Sequence, residues 1–276
     1  MRKLLLILML LVFTGQMSFA SDICRSSYDL TSGWERTLSR ISGSNFIHKT
    51  ILEHYLEKQI STYAQGDFDI KIDSFSTSDL KDGKFKSLNA IGENVFFDGV
   101  SAAKISLNSL CDFNQLEKTA NSTYRFVSDF PAEVTLEFNA EDLNRITNTT
   151  DYKKTIKKIN QNLMGILRIE NVNFEINSGK LWYNFTVSTP FSPKKQQVHL
   201  GTGLNIINED IKISTTDSSG KPTILSILNM TDALNYVNPL DFSVKILENN
   251  KIDADINEIF INNDRIVLKA FVNIRK

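Results

Sequence analysis

The chain has 276 residues, with 31 Lys and Arg against 32 Asp and Glu and a formal net charge of −1. So even a balance argues against a general nucleic-acid binder, whose phosphate contacts need a basic surplus. The length suits one large all-β or α+β domain, or two small ones.

The N-terminus reads as an export leader over residues 1–20. Arg2-Lys3 is the basic start, ten apolar residues run from Leu4 to Phe13, and Ser18-Phe19-Ala20 supplies the small residues of a cleavage site. The alternative is an uncleaved N-terminal anchor, but ten apolar residues are too few to span a bilayer. Ser21-Asp22-Ile23 lacks the small and apolar residues that lipidation at Cys24 would need. The expected product is a single domain, 21–276, with a net charge of −3 once Arg2 and Lys3 are gone. Its expected place is the periplasm or cell envelope. Intact-mass analysis of exported protein should give a chain that starts at Ser21, and a mature form retaining Leu4–Phe13 would contradict the leader.

Cys24 and Cys111 are the two cysteines of the chain. In an oxidising compartment an even pair is most simply a disulfide, and two buried thiols are the alternative.

Ser44 or Asn45 can cap a helix predicted over 46–64, with Ile47, Ile51, Leu52, Tyr55, Leu56, Ile60 and Tyr63 in one stripe. Lys49, Glu53, Glu57 and Lys58 fall outside the stripe, and Gly66 ends the helix. The period then changes to two. Phe68, Ile70 and Ile72 alternate with charged neighbours, and 85–97 is strand-like with a turn expected at Gly92-Glu93-Asn94. Ala103, Ile105, Leu107 and Cys111 alternate next, then Val134, Leu136 and Phe138. Such alternation marks a sheet with one wet and one apolar face.

Asn139 with Asp142 three residues on is a weak capping pattern for a short helix through Ile146. Asp151 is expected to cap a second, carrying Tyr152, Ile156, Ile159 and Leu163. A hairpin follows, with Ile169, Phe174 and Ile176 on one arm, Asn177-Ser178-Gly179 at the turn, and Leu181, Tyr183, Phe185 and Val187 on the other. Val198, Leu200, Leu204 and Ile206 continue the pattern to Ile211 and Ile213. Gly201-Thr202-Gly203 inside it reads as a bulge or kink. After a loop at 218–222, an apolar helix is expected over Thr223–Val237, broken by Asn238-Pro239. Strands over 242–247, 252–261 and 266–274 end the chain. The order is α+β with hairpins rather than βαβ units.

Several pieces in order resemble the LmeA family of envelope phospholipid-binding proteins. They are the export leader, the 46–64 helix, the strand at 68–72, Asn94-Val95-Phe96-Phe97-Asp98-Gly99-Val100, Ala132-Glu133-Val134-Thr135-Leu136 with Glu141-Asp142-Leu143-Asn144, and Val237-Asn238-Pro239-Leu240-Asp241. Lys153 to Lys158 has no place in that pattern. The family is similar to tubular lipid-binding proteins. The resemblance therefore implies a long, strongly curved antiparallel sheet wrapped around a long helix, with a second apolar helix near the C-terminus. It also implies non-enzymatic binding, or transfer, of a phospholipid or another long apolar ligand.

No motif for chemistry interrupts this reading. His48 and His54 are six apart on a helix and cannot chelate one metal together; with His199 they complete the histidines. The sequence has no His-Glu-x-x-His, no Cys-x-x-Cys and no Gly-x-Ser-x-Gly. Gly220-Lys221-Pro222 is a turn rather than a phosphate loop. Asp253, Asp255, Glu141 and Asp142 read as solvated carboxylates. No catalytic residue, metal or cofactor is expected, and an envelope hydrolase is the weakest hypothesis. The sequons at Asn148, Asn184 and Asn229 read as chance in an Asn-rich chain.

Candidate walls of a ligand groove are Phe68, Ile70, Phe97, Val134, Leu136, Phe138, Phe185 and Leu204, bulky residues with polar neighbours. The same residues would serve a filled core, and the chain would then be a structural module that binds another envelope protein. Lys153, Lys154, Lys157 and Lys158 on a short amphipathic helix suit peripheral contact with an anionic membrane, or a solvated face.

Overall fold

A computed structural model describes residues 24, 29–33, 37, 44–97, 99–120, 123–162, 167–190, 192–207, 210–218, 234–235, 237–240 and 252–276. Among the described residues, helices α1 (Ser44–Ile60), α2 (Thr77–Lys81), α3 (Ala140–Thr147) and α4 (Thr150–Asn162) accompany thirteen strands. The strands are β1 (Gln65–Asp73), β2 (Lys84–Phe85), β3 (Ser87–Phe97), β4 (Val100–Ser109), β5 (Asn114–Lys118), β6 (Tyr124–Phe126) and β7 (Phe130–Asn139). After the two helices follow β8 (Arg168–Asn177), β9 (Lys180–Thr189), β10 (Ser192–Ile207), β11 (Asp210–Ser218), β12 (Ile252–Asn262) and β13 (Arg265–Ile274). The fold is α+β and mostly antiparallel sheet. The expected helix at 223–237 and strand at 242–247 lie outside the described residues, apart from 234–235 and Val237.

The strands form a six-stranded sheet, β1-β3-β4-β7-β13-β12, a four-stranded sheet, β11-β10-β9-β8, and a small sheet, β2-β5-β6. Antiparallel strands of alternating residues build both large sheets, so their registers bring apolar side chains into rows. One row runs Phe68, Gly92, Ile105, Leu136, Leu268 and Ile259; the next runs Ile70, Ala90, Leu107, Val134, Ala270 and Ile256. Both large sheets contribute to one buried cluster, with Phe174, Leu181, Tyr183, Phe185 and Leu200 from the second. Helix α3 adds Leu143 and Ile146 and touches β4, β7 and β8, so it sits between the two sheets.

Helix side chains close the exposed edges of the sheets. Strand β1 is an edge, and its Ile72 and Ile70 amides donate to the Glu53 and Glu57 carboxylates of α1 at 2.7 and 3.2 Å. One helical turn and two strand residues cover similar lengths, about 6 Å, which lets an i,i+4 pair meet an i,i+2 pair. Carboxamides act likewise in two-point contacts. The Asn144 amide donates to the Phe174 carbonyl and accepts from its N–H, Asn160 does the same with Ile169, and Gln59 with Tyr124. The Asn235 oxygen accepts from the Ile213 amide on β11. An open strand edge is a template for unwanted pairing, and each of these contacts occupies part of one. Replacing Asn144 by Leu leaves two backbone groups of Phe174 without that partner. It should cost about 2 kcal/mol in urea-induced unfolding.

Several expectations need correction. β3 does not turn at Gly92-Glu93-Asn94. It continues to Phe97, the chain reverses at Gly99 (φ 84°), and the irregularity is a bulge where Gly66 (φ 145°) and Asn94 (φ 52°) take left-handed values. Thr149, not Asp151, caps α4: its hydroxyl accepts from the Tyr152 amide, while Asp151 pairs with Lys154. Asp142 is buried rather than solvated. It completes the capping box with Asn139 and accepts a hydrogen bond from the Ser101 hydroxyl at 2.7 Å. The bulge expected near Gly203 is present, and Trp182 lies so close over Gly201 that a Cβ there would sit 2.9 Å from its ring.

Cys24 and Cys111 are joined as a disulfide. The lead-in to α1 is held again at Thr31, whose amide and hydroxyl donate to the buried Asp79 carboxylate of α2 at 2.8 and 3.0 Å.

Candidate functional site

The apolar face of the six-stranded sheet is not evenly covered. On β7 and β13 the inward side chains are fully buried: Leu136 is 4% exposed, and Phe138, Ile266, Leu268 and Ala270 are at 0%. On β3 and β4, which also have neighbours on both sides, Ala90, Ile105 and Leu107 are only half-buried although they face the same cluster. Phe68 on β1 is half-buried too, with its ring across Gly92, where a Cβ would meet the ring at 2.9 Å. In a close-packed interior, apolar residues of internal strands lose nearly all contact with water. Here an apolar strip of Phe68, Ala90, Ile105 and Leu107 retains some.

Helix α1 packs on β1, the strand that carries Phe68. Leu52 and Leu56 are buried, and Ile60 packs on the core from one side. Of the rest of the expected stripe, Tyr55 packs edge-on against Tyr124, but Ile47 and Ile51 are each 60% exposed, and Tyr63, past the end of the helix, is 70% exposed. The cause is the edge-on position fixed by Glu53 and Glu57, which turns only a narrow part of the helix inward.

The eight candidate wall residues separate accordingly. Ile70, Val134, Leu136, Phe138, Phe185 and Leu204 lie in the shared buried cluster, Phe68 lies on the half-buried strip, and Phe97 is 41% exposed near the end of β3. Ile105 and Leu107 belong to the strip and were not among the eight. Their alternation is visible in the sequence, but their depth depends on what packs over β4.

Elsewhere, polar side chains serve structure. The Tyr152 hydroxyl donates to the Val237 carbonyl at 2.9 Å, and burial pushes its phenol well up from the ordinary value. His199 stacks on Trp182 and shares a hydrogen bond with Asn184, whose amide donates to Glu175. Among the described residues no three His, Cys, Asp or Glu side chains are grouped to hold a metal ion. No described helix is long and apolar enough to cross a membrane.

A concavity lies between α4 and β8, open to solvent and about 400 Å³ in volume. Lys153, Lys157, Arg168 and Glu170 line it, with Ile156 and Ile169 between them. Glu170 is paired with Arg168 at 3.0 Å and with Lys195 at 2.7 Å, and the Lys195 hydrogen bond holds its carboxyl below the usual range.

The chain matches no family model, no curated protein and no solved structure.

Proposed function

We propose that the protein is an exported, non-enzymatic carrier or receptor for a phospholipid or another long apolar ligand in the bacterial cell envelope. The observation that carries this reading is the half-buried apolar strip of Ala90, Ile105 and Leu107 on internal strands. An acyl chain laid along it would remove the remaining apolar surface from water, at about 25 cal/mol for each Å² covered. Resemblance to the LmeA family supports the same ligand class. It implies a strongly curved sheet around a helix, closing over such a strip, and a role as lipid binder. The disulfide fits the oxidising compartment that export would supply.

The test is native mass spectrometry of the protein purified from its own envelope, followed by incubation of lipid-free protein with phospholipid liposomes. A bound phospholipid mass in either experiment is the expected result. Protein that stays bare in both is not a lipid binder.

A second reading has its own observation. Ile47 and Ile51, one turn apart on α1, are exposed beside Phe46 at 73% exposure, which suits a protein partner. On that reading the chain is an interaction module, and it carries no lipid.

A further inference from the structure

The concavity between α4 and β8 differs from the strip in chemistry. Three cations, Lys153, Lys157 and Arg168, line it with a single carboxylate, Glu170, which is already engaged by Arg168 and by Lys195. Among the described residues Lys153, Lys157 and Lys158 have no ion-pair partner, while Lys154 is taken by Asp151. All four lysines are exposed. Their positions three and four apart place them along one side of α4, opposite the buried Tyr152.

Apolar side chains stand next to this charge. The β3–β4 reversal meets the start of α4, where a Cβ on Gly99 would lie 3.5 Å from the Thr149 methyl. Phe96 and Phe97 beside that reversal are 38% and 41% exposed, and Tyr63 precedes the β1 residues that pair there. Exposed aromatics near a helix rich in lysine are the combination that settles at a bilayer interface, with rings at headgroup depth and ammonium groups on lipid phosphates. A lysine face alone would be a solvated helix, and lone exposed aromatics would mean little. Their meeting at one end of the fold carries the inference.

We infer that the α4–β8 concavity and the adjoining β3–β4 tip form a docking surface for a bilayer rich in anionic phospholipid. Lys153, Lys157 and Arg168 meet the phosphates, and Phe97 enters the interface. The inference rests on the lipid reading, because a carrier must meet the membrane it loads from, and it assigns that contact to particular residues.

The experiment is partitioning of the full exported chain onto vesicles of phosphatidylglycerol with phosphatidylcholine, against vesicles of phosphatidylcholine alone. Wild type should bind the anionic vesicles and leave them at high salt. Each lysine near such a surface changes partitioning about fivefold, so Lys153→Ala with Lys157→Ala should weaken binding about 30-fold. Removing the same charge elsewhere, as Lys81→Ala with Lys118→Ala, should change it far less. Both pairs are exposed, and unchanged melting temperatures will show that the variants fold. Phe97→Ser should weaken binding at low salt while leaving its dependence on salt unchanged.

Equal binding to both vesicle types overturns the inference, as does an equal loss in the two double variants. Inorganic phosphate is tested at an ionic strength matched with chloride. If it releases wild type where chloride does not, the concavity takes free phosphate and the bilayer surface is wrong. Bound lipid is read on the same samples. Wild type that carries lipid yet ignores anionic vesicles overturns the docking surface alone. Wild type that docks and carries no lipid overturns the lipid strip and leaves the docking surface standing.

Discussion

Replacing Leu136 by Ala should destabilise the protein by about 2–5 kcal/mol, while Leu107→Ala, on the neighbouring strand, should cost about 1 kcal/mol or less. Both are leucines on inward positions of adjacent strands in one sheet, so composition and strand propensity are matched. Their surroundings differ. Leu136 pairs with Leu268 on one side and Ile105 on the other and is 4% exposed, so truncation opens a void that rigid neighbours cannot fill. Leu107 already retains some contact with water, so truncation there leaves less of a sealed void. The enlarging substitutions should reverse the order of tolerance. Leu136→Trp forces extra volume into a packed site and should unfold or strain the protein. Leu107→Trp has room to turn outward and should fold. Urea unfolding of the four variants checks the set, and equal costs at the two leucines would mean that the strip is as well packed as β7.

Breaking the disulfide should have an effect of similar size. Cys24 and Cys111 close a loop with a sequence separation of 87, for which chain entropy gives about 4–5 kcal/mol. The native state gives this bridge further purpose. Residues 29–33 reach the domain through Thr31 on Asp79 and through the Lys84 ammonium on the Asp29 carbonyl, and Cys24 lies beyond them. Without the bridge, the Asp79 carboxylate loses the anchor that keeps its Thr31 donors in place. Alkylation of folded protein without reductant should therefore label neither cysteine. Cys111→Ser should lower the melting temperature by roughly ten degrees or more. A variant as stable as wild type would show that the lead-in contributes nothing to the fold.

Much of the architecture could be read from periodicity because alternation is a local property. The 139–146 helix, its cap, the hairpin at 177–179 and the strands after Ile252 follow from residue types within a few positions of each other. What escaped was set by distant partners. Asn144, Asn160 and Gln59 resemble ordinary polar surface, and nothing near them in sequence announces a strand edge. Glu53 and Glu57 lie off the apolar stripe, yet their contact with β1 decides how α1 is turned. Helix α2 and strands β5 and β6 were too short to leave a periodic trace. The strip itself was half legible. Phe68 and the alternation of Ile105 and Leu107 were visible, but burial depends on what covers a strand, and the pattern is the same over a filled core and an open groove.

The most direct measurement is the amount of phospholipid held by folded Leu107→Trp relative to wild type, after both have been loaded from liposomes. An indole on the strip should exclude the ligand, so the variant should keep its native melting transition and hold little or no lipid while wild type holds it. Equal lipid in the two proteins, or none in either, would contradict the assignment of the Ala90, Ile105 and Leu107 strip as the binding site.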